Sequence, residues 1–158
     1  MNTIIVYVSH HGTTEKAAKM LQQELGSGVE VVNLRENKKP DLALYDTVIV
    51  GGSIHAGSIQ GRVKKFCLSN HDILLQKRTG YFICCMERSE KQTQQLEAAY
   101  PETLRAKATA LGMFGGEFIF DRMNFLEKAI IKKISGLDKS VSDINEAAIK
   151  EFAQKIKA

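Results

Sequence analysis

Short apolar runs alternating with amphipathic helical patterns constrain the fold of this chain more than any other feature. Runs such as Val48-Ile49-Val50 and Phe82-Ile83-Cys84 are apolar on successive residues, which is typical of strands covered on both faces. The predicted strands span residues 3–8, 29–33, 47–51, 79–85 and 112–120. Because helical patterns separate them, the economical solution is a parallel sheet with right-handed crossovers and helices on both sides.

The helical patterns are stripes of apolar residues at three- and four-residue spacing. One stripe comprises Thr14, Ala17, Ala18, Leu21 and Leu25, and residues 26–28 with their two glycines end that helix. A second comprises Ile59, Val63, Phe66 and Cys67. Residues 96–111 predict one or two helical pieces around Pro101. A last stripe comprises Ile144, Ala148, Phe152 and Ile156, with Ser142 as its predicted N-cap.

The size and composition suit one soluble globular domain over residues 1–158. No apolar run approaches the ~20 residues that span a bilayer, and no export signal is visible, so we expect a cytoplasmic protein. The cysteines, Cys67, Cys84 and Cys85, predict buried, reduced thiols rather than a redox pair at residues 84 and 85. The net charge of +4 is spread along the chain, which argues against a nucleic-acid partner.

In a doubly wound sheet of strand order 2-1-3-4-5, ligands bind where the carboxyl ends of strands 1 and 3 meet. The segments expected there are 9–13 and 52–57. The first lies within the stretch Ser9-His10-His11-Gly12-Thr13-Thr14. The unpaired N–H groups of a first helical turn, the helix dipole and several hydroxyls converge at that junction. It therefore predicts a phosphate site that needs no Lys or Arg.

The second segment reads Gly51-Gly52-Ser53-Ile54-His55-Ala56-Gly57-Ser58. The glycines at 51, 52 and 57 permit positive φ and would let the backbone approach a planar ligand, with Ile54 and His55 then able to cover a ring face. The alternative is that a loop between a strand and a helix contains glycines for its own geometry. The neighbouring phosphate site favours the first interpretation.

Other phosphate and metal motifs are missing from the sequence. There is no G-x-x-x-x-G-K-[ST], no G-x-G-x-x-G and no acidic cluster after strand 1. The adjacent His10 and His11 lack a third ligand at suitable spacing, so no metal site is predicted. No serine, histidine and acid follow a known nucleophile pattern.

With these residues in place, the chain resembles the flavodoxin-like FMN proteins. Their phosphate loop, [ST]-x-[ST]-G-x-[ST], is matched at Ser9, Gly12 and Thr14, while His11 replaces the usual hydroxyl residue. The resemblance implies a flavodoxin-like three-layer sandwich and one non-covalent FMN. It implies phosphate contacts from Ser9, His10, His11, Gly12, Thr13 and Thr14. It places Ser53, Ile54, His55, Ala56 and Gly57 beside the isoalloxazine, and Met86, Glu87, Arg88 and Ser89 at its pyrimidine edge.

The chain is further similar to the menaquinone-dependent protoporphyrinogen IX oxidase (dehydrogenase) branch of that superfamily. The similar stretches are 45–54, 90–93, 120–123 and 130–136, and an extra, partly basic segment at 121–136 is typical of the branch. The resemblance implies an FMN-dependent oxidoreductase of heme biosynthesis that oxidises protoporphyrinogen IX with a quinone acceptor. The alternatives are an electron-transfer flavodoxin with a protein redox partner and a binding module without flavin.

Charge gives a further expectation about the flavin. Shuttle flavodoxins are typically acidic, whereas this chain is net basic, with His55 and Arg88 in segments expected to face the ring. A nearby positive charge favours an anionic neighbour, so we predict a less negative flavin potential, unless Arg88 points to water. Residues 118–134 carry an apolar stripe with basic flanks, which suits peripheral contact with an anionic membrane or, alternatively, a surface helix packed on the core.

Overall fold

A computed structural model of the chain describes residues 2–9, 12–85, 89–118 and 141–158. Its strands are β1 (Thr3–Tyr7), β2 (Val29–Asn33), β3 (Thr47–His55), β4 (Ser58–Ile59), β5 (Arg78–Cys84), β6 (Ala110–Met113), β7 (Gly115–Phe118) and β8 (Val141–Ile144). Its helices are α1 (Thr13–Leu25), α2 (Gly61–Ser69), α3 (His71–Leu75), α4 (Ser89–Ala99), α5 (Glu102–Lys107) and α6 (Glu146–Lys157). A short 3₁₀ turn spans Leu42–Leu44.

The main sheet has the order β2-β1-β3-β5-β6, and all four pairings along this path are parallel. Since β5 overlaps the fourth predicted strand and β6 overlaps the start of the fifth, the predicted order 2-1-3-4-5 is confirmed. The register aligns Ile5 of β1 with Val31 of β2 and Ile49 of β3. The chain reverses its winding direction at β1, so the carboxyl ends of β1 and β3 flank the switch point.

Helices cover both faces of this sheet, which makes the predicted three-layer sandwich. Because side chains alternate along each strand, Val48 and Val50 face one core cluster and Ile49 faces the other. The first cluster includes residues of α2 to α5, and the second includes residues of α1 and α6. The adjacent Cys84 and Cys85 lie in opposite clusters. All three cysteines are buried free thiols, as predicted.

Two predictions about the C-terminal part of the fold are wrong. The predicted strand 112–120 is divided at Phe114, whose buried ring stacks on Phe82 with centroids 4.5 Å apart. Beyond it, β7 leaves the parallel sheet and pairs antiparallel with β8. Ser142 lies in β8, so the N-cap of α6 is instead Asn145, whose Oδ1 accepts from the Ala148 N–H at 3.0 Å.

No helix in the described ranges is long and apolar enough to cross a membrane.

Candidate cofactor site

The candidate site lies where β1 and β3 end. Their parallel register ends at the pair Tyr7 and Gly51. Beyond it, β1 leads through Val8 and Ser9 toward the first turn of α1, while β3 continues to His55. The two predicted segments therefore start side by side at the same edge of the sheet.

The first segment enters α1 through a left-handed N-cap at Gly12, where φ is 85°. A side chain in this conformation is strained, which explains the glycine. The Gly12 N–H donates to Ser9 Oγ at 2.9 Å, which closes the turn. Gly12 provides no side-chain cap, so the first-turn N–H groups have no acceptor within the helix and are available to an anion.

Thr14 has an unusual buried hydroxyl in this first turn. Its side chain is 1% exposed, and its Oγ1 has no hydrogen-bond partner among the described residues. An unsatisfied buried hydroxyl costs roughly 1–3 kcal/mol, and such groups in a folded protein call for an explanation. A phosphate oxygen at the end of α1 is the acceptor that this donor fits.

An arginine from another loop contacts the segment predicted to bind a phosphate. Arg35 Nη1 donates to the Ser9 carbonyl at 3.2 Å. The loop that carries Arg35 is held against β1 by the Leu34 N–H, which donates to the Tyr7 carbonyl at 2.7 Å. The sequence predicted a site that needs no Lys or Arg, and it gave no sign of this contact. Residue 35 is far from residue 9 in sequence, and the pairing of β1 with β2 brings them together.

On the opposite flank, Tyr7 fixes the side chain of Glu15. The Tyr7 hydroxyl donates to Glu15 Oε1 at 3.0 Å. Burial raises the pKa of Tyr7, and the hydrogen bond to the Glu15 carboxylate raises it further. The phenol therefore remains a protonated donor, and it ties the first turn of α1 to the end of β1.

The structure corrects the predicted role of Gly51 and Gly52. Both lie within β3, and neither has a positive φ. A Cβ at Gly51 would lie 2.0 Å from Phe82 Cζ, and one at Gly52 would lie 2.7 Å from Gln60 Oε1. These glycines therefore make room for neighbouring side chains. The strand continues through them because Gly52 and Ser53 still pair with β5.

The expected loop is instead a tight hairpin. His55 of β3 pairs with Ser58 of β4, and the two residues between them, Ala56 and Gly57, have φ values of 50° and 82°. Two consecutive positive φ values define a type I′ turn. The predicted positive φ is thus confirmed at Gly57 and is shared by Ala56, where an L-residue is strained.

Ile54 and His55 point in different directions, because they are neighbours in a strand. Ile54 packs against the first core cluster, whereas His55 is exposed. The Nε2 atom of His55 lies 2.9 Å from Ser53 Oγ. Of the two residues predicted to cover a ring face, His55 alone is on the exposed side.

Gln60, the residue before α2, links the two segments and was missed in the sequence. Its Nε2 donates to the Val8 carbonyl at 3.2 Å and to Ser53 Oγ at 2.8 Å. Its Oε1 accepts from the Ser53 N–H at 2.9 Å. Nothing in the local pattern singled out this glutamine, because its partners are seven and 52 residues away.

Some predicted residues lie outside the described residues. They are His10, His11, Met86, Glu87, Arg88 and the segment 121–136. In the part of the chain that the structure describes, no group of three or more His, Cys, Asp or Glu residues is arranged to hold a metal ion.

The family model described as a flavodoxin domain matches residues 4–145. The protoporphyrinogen IX dehydrogenase [quinone] of Escherichia coli strain K12 is 21% identical over 157 residues, covering 94% of this chain and 87% of the relative.

Solved structures share the fold at low sequence identity. The two-electron reduced flavodoxin of Megasphaera elsdenii has a TM-score of 0.60 and 17% identity, covering 99% of both chains. The oxidised flavodoxin 1 of Bacillus cereus also has a TM-score of 0.60, with 16% identity, covering 99% of this chain and 97% of that one.

Proposed function

The chain belongs to the flavodoxin domain family, and from this premise we propose that it binds FMN and oxidises protoporphyrinogen IX, with a quinone as the electron acceptor. The observation that carries FMN binding is the buried Thr14 hydroxyl, which lacks a partner among the described residues and lies in the first turn of α1. The similarity to the Escherichia coli dehydrogenase, which extends over nearly the full length, supports the substrate and the acceptor.

The residues present fit the phosphate of FMN. Ser9 accepts from the Gly12 N–H, so its own hydroxyl proton is available to a phosphate oxygen. Thr13 and Thr14 contribute first-turn N–H groups, and the dipole of α1 favours a dianion at this end. Arg35 adds positive charge through its contact with Ser9.

Bound FMN supplies the two-electron acceptor chemistry, whereas the protein supplies binding and orientation. In this chain the first turn of α1 would hold the phosphate. The β3–β4 hairpin would lie beside the ring system, with Ser53 and His55 offering polar groups there. By the same assignment, the undescribed residues Met86, Glu87 and Arg88 would lie at the pyrimidine edge.

A basic helix beside the site suits an acidic substrate. Arg62, Lys64 and Lys65 of α2 are exposed, and no ion pair of theirs occurs within the described residues. No acidic residue occurs from 57 to 71. Protoporphyrinogen carries two carboxylates, and uncompensated cations near its binding site would attract them.

The test starts with the purified protein. A flavin absorption spectrum that is released by denaturation and identified as FMN is the first expected result. Protoporphyrinogen oxidation that depends on added menaquinone is the second. The Thr14→Val variant, reconstituted with limiting FMN, should lose both in parallel. A yellow protein that leaves protoporphyrinogen unchanged would support the alternative, an electron-transfer flavodoxin, and a protein that takes up no FMN would overturn the proposal.

Membrane contact through residues 121–136 is a separate part of the proposal, supported by the basic amphipathic pattern of that segment. Co-sedimentation with liposomes that contain anionic lipid, compared with neutral liposomes, tests it. Binding that needs anionic lipid and weakens with salt is expected. Failure to bind at low salt would contradict it.

A further inference from the structure

The amide of Gln60 makes three hydrogen bonds at the junction of β1 and β3. Two donations go to the Val8 carbonyl and Ser53 Oγ, and the single acceptance comes from the Ser53 N–H. A carbonyl can only accept and an N–H can only donate, so these partners fix which end of the amide is oxygen. A flipped side chain would place like groups against each other at both backbone contacts.

The contacts of Gln60 begin where the sheet stops joining the two strands. The last register pair of β1 and β3 is Tyr7 and Gly51. Val8 and Ser53 lie beyond it, and Val8 directly precedes Ser9 of the phosphate segment. Gln60 therefore connects the phosphate segment to the β3–β4 hairpin where no strand pairing between β1 and β3 does so in the described residues.

Close approach of this amide depends on Gly52. A Cβ at residue 52 would lie 2.7 Å from Gln60 Oε1 and 2.9 Å from two carbons of Ile59. Any side chain there would push the amide away from β3. Gly52 and Gln60 thus act together, because the missing side chain of Gly52 leaves the space that the Gln60 amide occupies.

The contacts continue to an exposed imidazole. Ser53 Oγ accepts from Gln60 Nε2 at 2.8 Å and lies 2.9 Å from His55 Nε2. Because the hydroxyl has already accepted from Gln60, its single proton is free to point at His55. This arrangement orients the imidazole on the exposed side of the hairpin.

We infer that Gln60 is a positioning residue of the cofactor site. It holds the phosphate segment and the hairpin at a fixed separation and orients His55 through Ser53. The inference rests on the proposed binding of FMN, whose phosphate and ring system would contact these two segments at once. Without Gln60 each segment could still form, but their spacing would vary and the cofactor would have to fix it on binding.

The main experiment replaces Gln60 by leucine and by glutamate and measures the Kd of the apoprotein for FMN by flavin fluorescence. Gln60→Leu keeps the approximate volume and removes all three contacts, so Kd should rise by about tenfold or more. Gln76→Glu, an exposed position near the start of β5 at the other end of the sheet, is the matched control for added charge and should match the wild type.

Gln60→Glu makes the loss of the two donors depend on pH, which Gln60→Leu cannot do. An ionised carboxylate accepts from the Ser53 N–H but donates to neither Val8 nor Ser53 Oγ. When protonated, it regains one donor. The ratio of the variant Kd to the wild-type Kd should therefore rise with pH as the carboxyl ionises, above an ordinary pKa of about 4.3, which burial beside a carbonyl shifts upward. The ratio cancels the titration of the FMN phosphate itself.

A second variant and a cofactor-free measurement guard against misfolding. Gly52→Ala should weaken FMN binding as Gln60→Leu does, and the double variant should lose little more, because both changes disrupt one unit. Hydrogen exchange of the Ser53 amide in the apoprotein should be faster in Gln60→Leu than in wild type, with unfolding transitions measured alongside.

The outcomes separate the two proposals. If the wild type binds FMN and the Gln60 variants bind it equally well at all pH values, the inference is wrong and the proposed function stands. If the wild type binds no FMN, the proposed function fails and this inference fails with it. Weaker binding without pH dependence in Gln60→Glu would also overturn the inference, since it would indicate a general defect.

Discussion

The ring of Phe82 fills the space that a side chain at Gly51 would need. A Cβ at residue 51 would lie 2.0 Å from Phe82 Cζ and 2.3 Å from two further ring carbons. Phe82 is fully buried and stacks on Phe114, so its ring has nowhere to move. Gly51→Ala should therefore destabilise the protein by at least about 2 kcal/mol, the range of overpacked cores. Chemical denaturation measures this loss.

Shortening Phe82 supplies the control for this clash. Phe82→Leu alone loses packing, but in the Gly51→Ala background it also relieves overlap. The double variant should be more stable than the sum of the single effects predicts, by about 1 kcal/mol or more, as expected for residues in direct contact. Additive effects would show that Gly51 is needed for another reason.

These contacts also show what the sequence could predict. The main strands and their cover by helices on both faces followed from runs such as Val48-Ile49-Val50, because a strand buried on both faces must be apolar throughout. The end of β3 did not follow, because Gly51 and Gly52 carry the local pattern of a loop. Only Phe82, which is distant in sequence, and Gln60, which follows the β3–β4 hairpin, show why a strand has glycines there.

One part of the candidate site could likewise be predicted from the sequence, and the other part could not. The junction of β1 and α1 could be found from Ser9, Gly12 and Thr14, because hydroxyls and a glycine at a helix start have a local physical meaning. Arg35 and Gln60 could not be found, since their roles are contacts with the Ser9 and Val8 carbonyls. Backbone carbonyls are present at every residue, so no sequence pattern marks these pairs.

Thr14 provides a test of the proposed phosphate site. Thr14→Val keeps the shape and removes the hydroxyl that lacks a partner among the described residues. The apoprotein should keep its stability or gain slightly, while the Kd for FMN should rise roughly 10- to 100-fold, as for loss of a hydrogen bond to a charged group. Thr14→Ser, which keeps the donor, is the control. Unchanged affinity in Thr14→Val would exclude Thr14 from phosphate binding.

The hairpin turn can be improved at Ala56. Its φ of 50° is left-handed, and asparagine followed by glycine is strongly preferred in type I′ turns. Ala56→Asn should raise the free energy of unfolding by about 0.5–1 kcal/mol, and Gly57→Val should lower it. Thermal unfolding of the apoproteins measures both effects. A destabilised Ala56→Asn variant would contradict the assigned turn.

Cys67 should make stability depend on pH in the alkaline range. Burial raises the pKa of this thiol to about 12, whereas an unfolded thiol has a pKa of about 8.5. The folded state therefore binds more protons between these values, so its stability is fully present below pH ~8.5 and falls as the pH rises, with a limiting slope of about 1.4 kcal/mol per pH unit.

Cys67→Ala isolates this contribution. The variant is less stable at every pH because it leaves a cavity, but its stability should fall less steeply between pH ~8.5 and ~10, before tyrosines ionise in the unfolded chain. Urea denaturation at several pH values measures the two slopes. Equal slopes would show that the thiol ionises in the folded protein as easily as in the unfolded one.

The positive charges of α2 should raise the reduction potential of the bound flavin. A reduced, anionic flavin is favoured by nearby cations, so we expect the second one-electron reduction to occur at a less negative potential than in acidic shuttle flavodoxins. Reversing Arg62 and Lys65 to glutamate should shift that potential negatively by an amount on the order of tens of millivolts at low salt.

The control reverses Lys155 and Lys157, which are exposed near the C-terminus of α6. It gives the same change in net charge at the opposite end of the sheet. Redox titration at two ionic strengths decides the matter: equal shifts in both double variants would mean that net charge, and not the position of α2, sets the potential.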